Sequence, residues 1–327
     1  MQLPATTAIF DRIKKGTRQE INSALLISSM DIEITLPLVK SLVVQQFPQY
    51  AHWPVRAVQP GGIDNRTFRL GDELLIRLPS AEGYAAQVEK EQQWLPKLAS
   101  CLSVQVPEPI AMGAPSQAYP WNWSIFKWIS GDSACSVDID KLHLEQLAIE
   151  LAQFLKELHT VDTTNAPPGG LHNYYRGAHV SVYDREVSAH LNQLQGLIKR
   201  EKALAVWKRA ISSAWSPPPV WIHGDFASGN ILVKEQQLAA VIDFGCMGIG
   251  DPACDLVVAW TFLKDTARAL FKSALSLDAD TWARARGWAL WKAGFELVAL
   301  KNKTSPKAIE KLAIIDDILG EHEKETT

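Results

Sequence analysis

The sequence predicts an α+β protein with a small β-rich first lobe and a larger, mainly helical second lobe. A length of 327 residues suits about two domains. Short β-prone runs separated by turn residues occupy much of the chain up to residue 129, whereas helical periodicity dominates past residue 250. We therefore expect an N-terminal extension (1–35), a first lobe (36–129) and a second lobe (130–327). A ligand cleft between two such lobes is the default expectation.

The first lobe is predicted to contain an antiparallel meander between two helices. Gly61-Gly62 and Gly71-Asp72 supply turn residues at the two corners of the meander. The second helix carries an apolar stripe formed by Val88, Trp94 and Leu98. The predicted elements are a helix over 36–47, strands over 55–58, 67–70 and 74–78, a helix over 82–99 and a strand over 124–129.

The second lobe is predicted to begin with a long amphipathic helix over 140–159. A loop rich in proline and glycine follows at 163–170. β-prone runs at 220–222, 230–233 and 238–242 then indicate a strand and a hairpin. Beyond residue 250 we expect helices.

Charge and composition exclude several classes of partner. The net charge is −3 and the pI is near 6.3, whereas nucleic acids and anionic membranes call for a concentrated basic face. We expect neither as a partner. The four cysteines form no CxxC pair, which favours reduced thiols in a cytoplasmic protein. The apolar runs fall short of the roughly 18 residues that a membrane span requires.

Polar side chains with metal-binding oxygens stand at both ends of the predicted hairpin. Asp225 follows the strand that precedes it, Asn230 opens it, and Asp243 follows its second strand. Because a hairpin brings its outer ends together, we expect these three side chains to converge beside Gly245. Carboxylate and amide oxygens of this kind suit Mg²⁺, which completes its coordination with water and phosphate oxygens.

The spacing of these residues favours phosphoryl transfer. That reaction needs one carboxylate to orient the attacking hydroxyl, and a second carboxylate and an amide to hold metal ions. Protein kinases carry the three groups as HRD-x4-N followed by DFG. Here Asn230 follows Asp225 of the His223-Gly224-Asp225 motif by five positions, and Asp243-Phe244-Gly245 begins thirteen positions later. A lone Asp at a strand end is usually a turn former, but the joint spacing around a hairpin argues against chance.

The segment HGDFASGNILV…AAVIDFGCMGIGDPACDL resembles the aminoglycoside phosphotransferase family of small-molecule kinases. The resemblance extends upstream through LLIRLPS, QVEKEQQWLPKL and YPWNWSIFKWISG, and covers most of residues 50–300. It implies a protein-kinase-like fold and O-phosphorylation with ATP or GTP and bound Mg²⁺. It also implies that Asp225 is the catalytic carboxylate, that Asn230 and Asp243 are metal ligands, and that His223 braces the catalytic loop.

In the first lobe the resemblance implies a nucleotide site with one departure from the kinase pattern. Arg77 stands where kinases carry a lysine on the third strand, with Glu91 as its expected partner and Glu89 as the alternative. A guanidinium can hold phosphate oxygens bidentately, so Arg77 is either a phosphate clamp or half of a structural ion pair. The remaining candidates are Gly61, Gly62 and Asn65 in the loop over the phosphates, and Phe126, Lys127 and Trp128 in a hinge whose backbone meets adenine. The two glycines also suit a plain hairpin turn.

The acceptor of the phosphoryl group is the least determined part of the prediction. A cationic acceptor favours carboxylates, for which Asp251, Asp255 and Glu296 are candidates, and His172 lies in a polar-aromatic loop that could cover the acceptor. Asp255 could instead support the catalytic loop or be a first-turn acid of a helix.

We expect an antibiotic kinase that confers resistance, with an aminoglycoside as the first candidate acceptor. A macrolide kinase, a housekeeping metabolite kinase and a catalytically weak nucleotide-binding regulator are the alternatives. The expected partners are a nucleoside triphosphate and a small hydroxylated acceptor. The sequence leaves open whether the protein is a monomer or a dimer.

Overall fold

The structure, a computed structural model, describes residues 32–59, 62 and 64–326. Most of the predicted N-terminal extension and Gly61 lie outside the described residues. The chain forms two units: residues up to Trp94 join Glu108–Trp128, and Leu95–Pro107 join Ile129 and the residues after it. The predicted lobe boundaries stay a prediction, and these units differ from them by placing residues 95–107 with the second part.

The first unit is built on a five-stranded antiparallel sheet in the order β1-β2-β3-β5-β4. Its strands are β1 (Val55–Ala57), β2 (Asn65–Leu70), β3 (Leu74–Pro79), β4 (Pro109–Gly113) and β5 (Trp123–Lys127). Its helices are α1 (Leu36–Gln46) and α2 (Glu82–Ala99), of which the second unit takes the residues from Leu95 onward. The predicted meander and both predicted helices are confirmed.

A glycine turn sets the register of the central hairpin. β2 pairs with β3 from Asn65 opposite Pro79 to Leu70 opposite Leu74. Gly71 occupies the turn at φ +59°, and a Cβ atom there would lie 2.5 Å from the ring of Trp53. Only glycine fits both the backbone conformation and the space. The register places Leu70 and Ile76, which are fully buried, in the core of this unit.

The second unit is mainly helical and carries two small sheets, one pairing β7 with β10 and the other in the order β6-β8-β9. Its strands are β6 (Asp132–Ser133), β7 (Val220–Ile222), β8 (Ile231–Lys234), β9 (Gln237–Val241) and β10 (Gly248–Gly250). Its helices after α2 are α3 (Leu144–Thr160), α4 (Asp184–Gln193), α5 (Arg200–Ile211), α6 (Val258–Thr261), α7 (Asp265–Leu275), α8 (Ala279–Ala299) and α9 (Pro306–Thr326). No helix of the described chain has the length and hydropathy needed to cross a membrane.

The predicted hairpin is formed by β8 and β9. Glu235 and Gln236 make its turn, both in the left-handed region at φ 52° and 67°, which matches the twist of the flanking strands. The register places Ile231 opposite Val241, and the N–H of Ile242 donates to the carbonyl of Asn230 at 2.9 Å. Asn230 and Asp243 are therefore carried to the same end of the ribbon.

The differences from the prediction have local causes. Helix α3 begins at Leu144 rather than at residue 140, because residues 139–141 form a separate 3-10 turn that Asp138 caps. The sequence indicated no strand at β10, since Gly-Ile-Gly has little intrinsic strand preference. It becomes a strand because it pairs with β7, with Gly248 opposite Ile222. The strand β4 and the helices α4 and α5 were also not predicted.

We expect the buried face of α3 to contribute strongly to stability. Leu151 is fully buried, so the Leu151→Ala variant should lower the free energy of unfolding by about 2–5 kcal/mol through lost burial and a residual cavity. Ile149 on the same helix is 42% exposed, and Ile149→Ala should cost roughly 0.5 kcal/mol or less. Urea unfolding of both variants measures the difference. Equal costs would contradict the assignment of the buried face.

Candidate active site

The candidate catalytic loop begins where β7 ends. Gly224, between His223 and Asp225, has φ +83°, and a Cβ atom there would lie 2.2 Å from the carbonyl oxygen of Cys246. Any other residue would displace one of the two backbone segments. The glycine of the His-Gly-Asp motif is therefore required by close backbone approach, and it fixes where the Asp225 side chain starts.

His223 links this loop to the end of the hairpin. Its ring is fully buried, with Nε2 2.9 Å from the carbonyl of Ile242 and Nδ1 3.2 Å from the amide nitrogen of Asp225. A carbonyl can only accept, so Nε2 carries the proton and Nδ1 accepts from Asp225 N–H. This geometry is that of a brace between the catalytic loop and the segment that leads to Asp243.

Asp255 binds the backbone of the same loop. Its carboxylate is fully buried, and its two oxygens accept the N–H groups of His223 at 2.7 Å and Gly224 at 2.8 Å. Burial raises the pKa of Asp255, an effect that His223 and the two N–H donors offset only in part. Of the three predicted roles, the structure shows loop support and a place in the first turn of the 3-10 helix Pro252–Val257. The prediction that Asp255 contacts the acceptor is corrected, because its carboxylate is buried and both of its oxygens are bonded to the loop.

Asp225 is held by both of its carboxylate oxygens. Its Oδ1 accepts from Lys292 Nζ at 2.9 Å, and its Oδ2 accepts from Asn230 Nδ2 at 3.3 Å. Burial opposes ionisation of Asp225, but the ion pair and hydrogen bond with Lys292, together with His223 and Arg176, outweigh it and lower the pKa of the carboxyl below its usual value. Asp225 is therefore a carboxylate at neutral pH, able to accept a hydroxyl proton.

Asn230 and Asp243 fit the chemistry of a magnesium site. Asn230 Nδ2 also donates to the backbone carbonyl of Asp225 at 2.9 Å. Because the amide nitrogen of Asn230 faces Asp225, the amide oxygen Oδ1 faces away from Asp225. Asp243 stands next to Ile242 in the left-handed region at φ 65°, a conformation that aspartate tolerates. Among the described residues no group of three or more His, Cys, Asp or Glu could hold a metal. An amide oxygen and one carboxylate suit Mg²⁺ when phosphate and water oxygens complete its shell.

The first unit contains the predicted ion pair. Arg77 on β3 and Glu91 on α2 meet at 2.9 Å, and their side chains are only 11% and 4% exposed. The alternative partner Glu89 instead accepts from the side-chain amide of Asn122 at 2.8 Å. The guanidinium of Arg77 also lies 5.7 Å from the ring centre of Phe126. The pairing with Glu91 is as predicted, and contact of Arg77 with phosphate stays a prediction.

The predicted glycine loop is described only in part. Gly61 lies outside the described residues, and the carbonyl of Gly62 accepts from Arg66 at 2.7 Å. Asn65 is the first residue of β2 and is almost fully buried. Contact of these residues with phosphate stays a prediction.

The hinge prediction needs a correction. The N–H of Lys127 donates to Glu108 at 3.0 Å, and the N–H of Trp128 donates to Glu73 at 2.7 Å. These two donors are used inside the first unit and are not available to adenine. Phe126 is buried to 1% exposure, so its side chain belongs to the packing of the sheet. Contact of the remaining groups of this segment with adenine stays a prediction.

The residues predicted to bind the acceptor have partners within the second unit. Asp251 is 4% exposed, pairs with Arg284 at 2.6 Å and caps the turn that follows it, so its predicted contact with the acceptor is corrected. Glu296 pairs with Lys311 at 2.8 Å. His172 Nε2 lies 2.9 Å from the carbonyl of Pro168. The acceptor roles of Glu296 and His172 stay predictions.

Two residues at the site were not predicted. Lys292 on α8 contacts Asp225 across 67 sequence positions, and nothing in its neighbourhood in the sequence marked it. Arg176 donates from Nε to the carbonyl of Gly224 at 3.0 Å and lies 4.5 Å from the ring centre of Trp291. It lies in the same polar-aromatic loop as His172, and its contact with the His-Gly-Asp backbone depends on the tertiary fold.

Two curated proteins are similar to parts of this sequence. An aminoglycoside 3'-phosphotransferase of Salmonella typhimurium is 29% identical over 138 residues, which cover 39% of this chain and 47% of that protein. One of Escherichia coli is 28% identical over 129 residues, with the same coverage of 39% and 47%. The chain thus spans about half the length of the curated relatives it matches.

Solved structures show the same fold. An aminoglycoside 2'-phosphotransferase-IIIa in complex with GDP matches with a TM-score of 0.64 and 19% identity over 87% of this chain and 98% of that one. A macrolide 2'-phosphotransferase type I matches with a TM-score of 0.57 and 17% identity over 86% and 98%. The predicted fold class is confirmed by these likenesses.

The model of the phosphotransferase enzyme family matches residues 56–288. This range contains Arg77 and Glu91 as well as the whole catalytic loop and hairpin. It is well over half of the 327 residues, and it includes every segment on which the resemblance in the sequence was based. The chain belongs to the phosphotransferase enzyme family.

Proposed function

We propose that this protein transfers the γ-phosphoryl group of ATP or GTP to a hydroxyl of a small molecule, with an aminoglycoside antibiotic as the first candidate acceptor. The observation that carries the proposal is the ionised carboxylate of Asp225, held between Lys292 and Asn230 beside the ribbon end that bears Asp243. The names of the curated relatives support the choice of acceptor.

Asp225 acts on the acceptor hydroxyl. The hydroxyl oxygen attacks the γ-phosphorus, the bond from that phosphorus to the bridging oxygen breaks, and the nucleoside diphosphate leaves. The hydroxyl proton passes to a carboxylate oxygen of Asp225. A carboxylate with a low pKa orients the hydroxyl in the ground state and accepts its proton late, which suits a loose transition state.

Asn230 and Asp243 would hold Mg²⁺ through their side-chain oxygens. When bound, this ion neutralises charge on the phosphate oxygens. Arg77, fixed by Glu91, is assigned to the phosphates of the nucleotide, where a planar guanidinium can contact two oxygens at once. His223 and Asp255 keep the backbone of the catalytic loop in place.

A second acceptor class is favoured by one observation. Asp251 and Asp255 are buried and bonded inside the protein, and Glu296 is paired with Lys311. The charged partner that faces Asp225 is a lysine. Such a site attracts a polycation less than a carboxylate-rich pocket would, which supports a macrolide kinase or a metabolite kinase as the alternative.

A nucleotide-binding regulator with weak catalysis is the alternative of another class. The arginine in place of lysine at Arg77 supports it, but a binding protein has no need of an ionised Asp225.

We further infer a cytoplasmic location, because the reaction consumes nucleoside triphosphate and all four cysteines are free.

The acceptor is identified by measuring nucleoside diphosphate release with a panel of aminoglycosides, macrolides and small amino alcohols. We expect release above the acceptor-free rate with at least one class. A host strain that gains resistance to the same compound marks an antibiotic kinase, whereas release without resistance marks a metabolite kinase. Nucleotide binding without turnover on any acceptor would support the regulator.

Replacing the catalytic carboxylate should abolish most turnover while leaving the fold intact. For Asp225→Asn we expect kcat to fall by about 100- to 10,000-fold, because the proton acceptor is lost and the shape is kept. The control is Asp316→Asn, which changes an exposed aspartate on α9 paired with Lys199. Near-normal turnover of Asp225→Asn, with unfolding behaviour like that of the control, would refute the role of Asp225.

Loss of Asp243 should weaken the binding of Mg²⁺ and so raise the Mg²⁺ concentration that nucleotide binding requires. We expect Asp243→Ala to raise the Mg²⁺ concentration for half-maximal nucleotide binding by about tenfold or more, since one of two protein ligands is removed. Fluorescence of a labelled nucleotide titrated with Mg²⁺ measures this. An unchanged titration curve would show that Asp243 does not hold the ion.

A further inference from the structure

Lys292 is a charged residue at the candidate site whose role is so far unassigned. It lies in the C-terminal half of α8, and its Nζ donates to Asp225 Oδ1 at 2.9 Å. The Lys292 side chain is 26% exposed and that of Asp225 is 42% exposed, so water screens the pair only in part. The contact joins the reactive group of the catalytic loop to a different element of the fold.

The two donors on Asp225 approach different oxygens. Lys292 binds Oδ1, and Asn230 Nδ2 lies 3.3 Å from Oδ2. A carboxylate that has one hydrogen-bond donor on each oxygen cannot rotate about its Cβ–Cγ bond without breaking both hydrogen bonds. Each oxygen has a second lone pair, so the group can still accept a hydroxyl proton. Lys292 therefore determines which lone pairs remain for the acceptor.

Helix α8 is itself held in place by buried polar contacts. Arg284, one turn into the helix, pairs with Asp251 at 2.6 Å, and the two side chains are 1% and 4% exposed. Trp291, next to Lys292, donates from its indole nitrogen to Glu186 at 3.1 Å. Lys292 is thus carried by an anchored helix, which positions a side chain more exactly than a loop does.

Two carboxylates, one on the catalytic loop and one beneath it, repel one another. Asp255 is fully buried beneath the loop, and the charge of Asp225 contributes to the raised pKa of Asp255. Lys292 and Arg176 are two cations that contact the loop from other parts of the fold. Arg176 already donates to the carbonyl of Gly224 and to Tyr183. Lys292 is the cation that bonds directly to the carboxylate.

We propose that Lys292 is a positioning residue for phosphoryl transfer: its ammonium fixes the carboxylate plane of Asp225 so that a free lone pair faces the acceptor hydroxyl. The proposal rests on the proposed function of Asp225. Lys292 acts through Asp225. It raises kcat and has little effect on the affinity for the nucleotide or the acceptor.

The first experiment compares Lys292→Met and Lys292→Arg with the unchanged protein. Methionine keeps most of the volume but removes the donor, so kcat should fall by about 10- to 100-fold while both KM values change by less than about threefold. Arginine keeps a cationic donor and should restore a large part of kcat. Should Lys292→Met fail to fold, Lys292→Gln, which keeps a neutral donor, takes its place with the same expectation of reduced kcat.

The chain offers a closely matched control. Lys272 on α7 pairs with Glu321 at 2.8 Å and is 25% exposed, so it resembles Lys292 in the length of its ion pair and in the exposure of the lysine. Lys272→Met should cost a similar amount of stability in urea unfolding and leave kcat unchanged. A loss of kcat in Lys272→Met equal to that in Lys292→Met would reduce the effect to general destabilisation and overturn the proposal.

The second experiment is a double-mutant cycle on the full chain. If Lys292 acts through Asp225, then Lys292→Met should change kcat by less than about twofold when Asp225 is already asparagine. An equal loss in both backgrounds, or near-normal kcat of Lys292→Met alone, would overturn the proposal. If instead Asp225→Asn alone has normal turnover, the proposed function itself fails, and the two failures are thereby distinguished.

Discussion

The candidate site depends on one buried anion, the carboxylate of Asp255. It accepts the backbone N–H groups of both His223 and Gly224, and those bonds hold the turn that presents Asp225. A fully buried carboxylate is costly unless its oxygens are bonded, and here each oxygen has a backbone donor. The same loss of solvation that makes the buried charge costly also raises the pKa of Asp255. The loop therefore has one stable position over Asp255, and the surrounding contacts are built on that position.

Backbone approach explains why small residues surround this anion. Gly224 lies against the carbonyl of Cys246, and Gly250 lies so close to Gly177 that a Cβ atom on it would be 2.1 Å from that residue's carbonyl oxygen. The glycines of β10 let this strand lie against Gly177 and Pro167 while it pairs with β7. The pairing delivers Asp251 and then Asp255 to the underside of the loop that follows β7. The Gly-Asp-Pro sequence thus positions the anion as well as capping the turn after it.

The sequence was informative where the relevant contacts are local. Asp225, Asn230 and Asp243 were predicted to converge because a hairpin relates them. Arg77 was paired with Glu91 because the resemblance to kinases implies a cation on the third strand and a glutamate on the helix that follows. Lys292 and Arg176 escaped prediction because their contacts depend on how α8 and the 171–176 segment pack, and no spacing rule encodes that packing. Asp251 was misassigned for the same reason, since an acidic residue before proline gives no sign of a buried arginine 33 positions away. Local patterns specified the reactive groups, and tertiary packing specified their counterions.

Three carboxylates around the loop each have their own positively charged or dipolar partner, and the three pairs differ in function. Asp255 is balanced by backbone dipoles, Asp251 by the buried guanidinium of Arg284, and Asp225 by the partly exposed ammonium of Lys292. The first two are fully withdrawn from solvent, so removing either partner would leave an uncompensated buried charge. The third stays accessible and keeps lone pairs free. This division separates the carboxylates that build the loop from the one that can react. It also explains why a count of acidic residues says little about the charge that an acceptor would meet at this site.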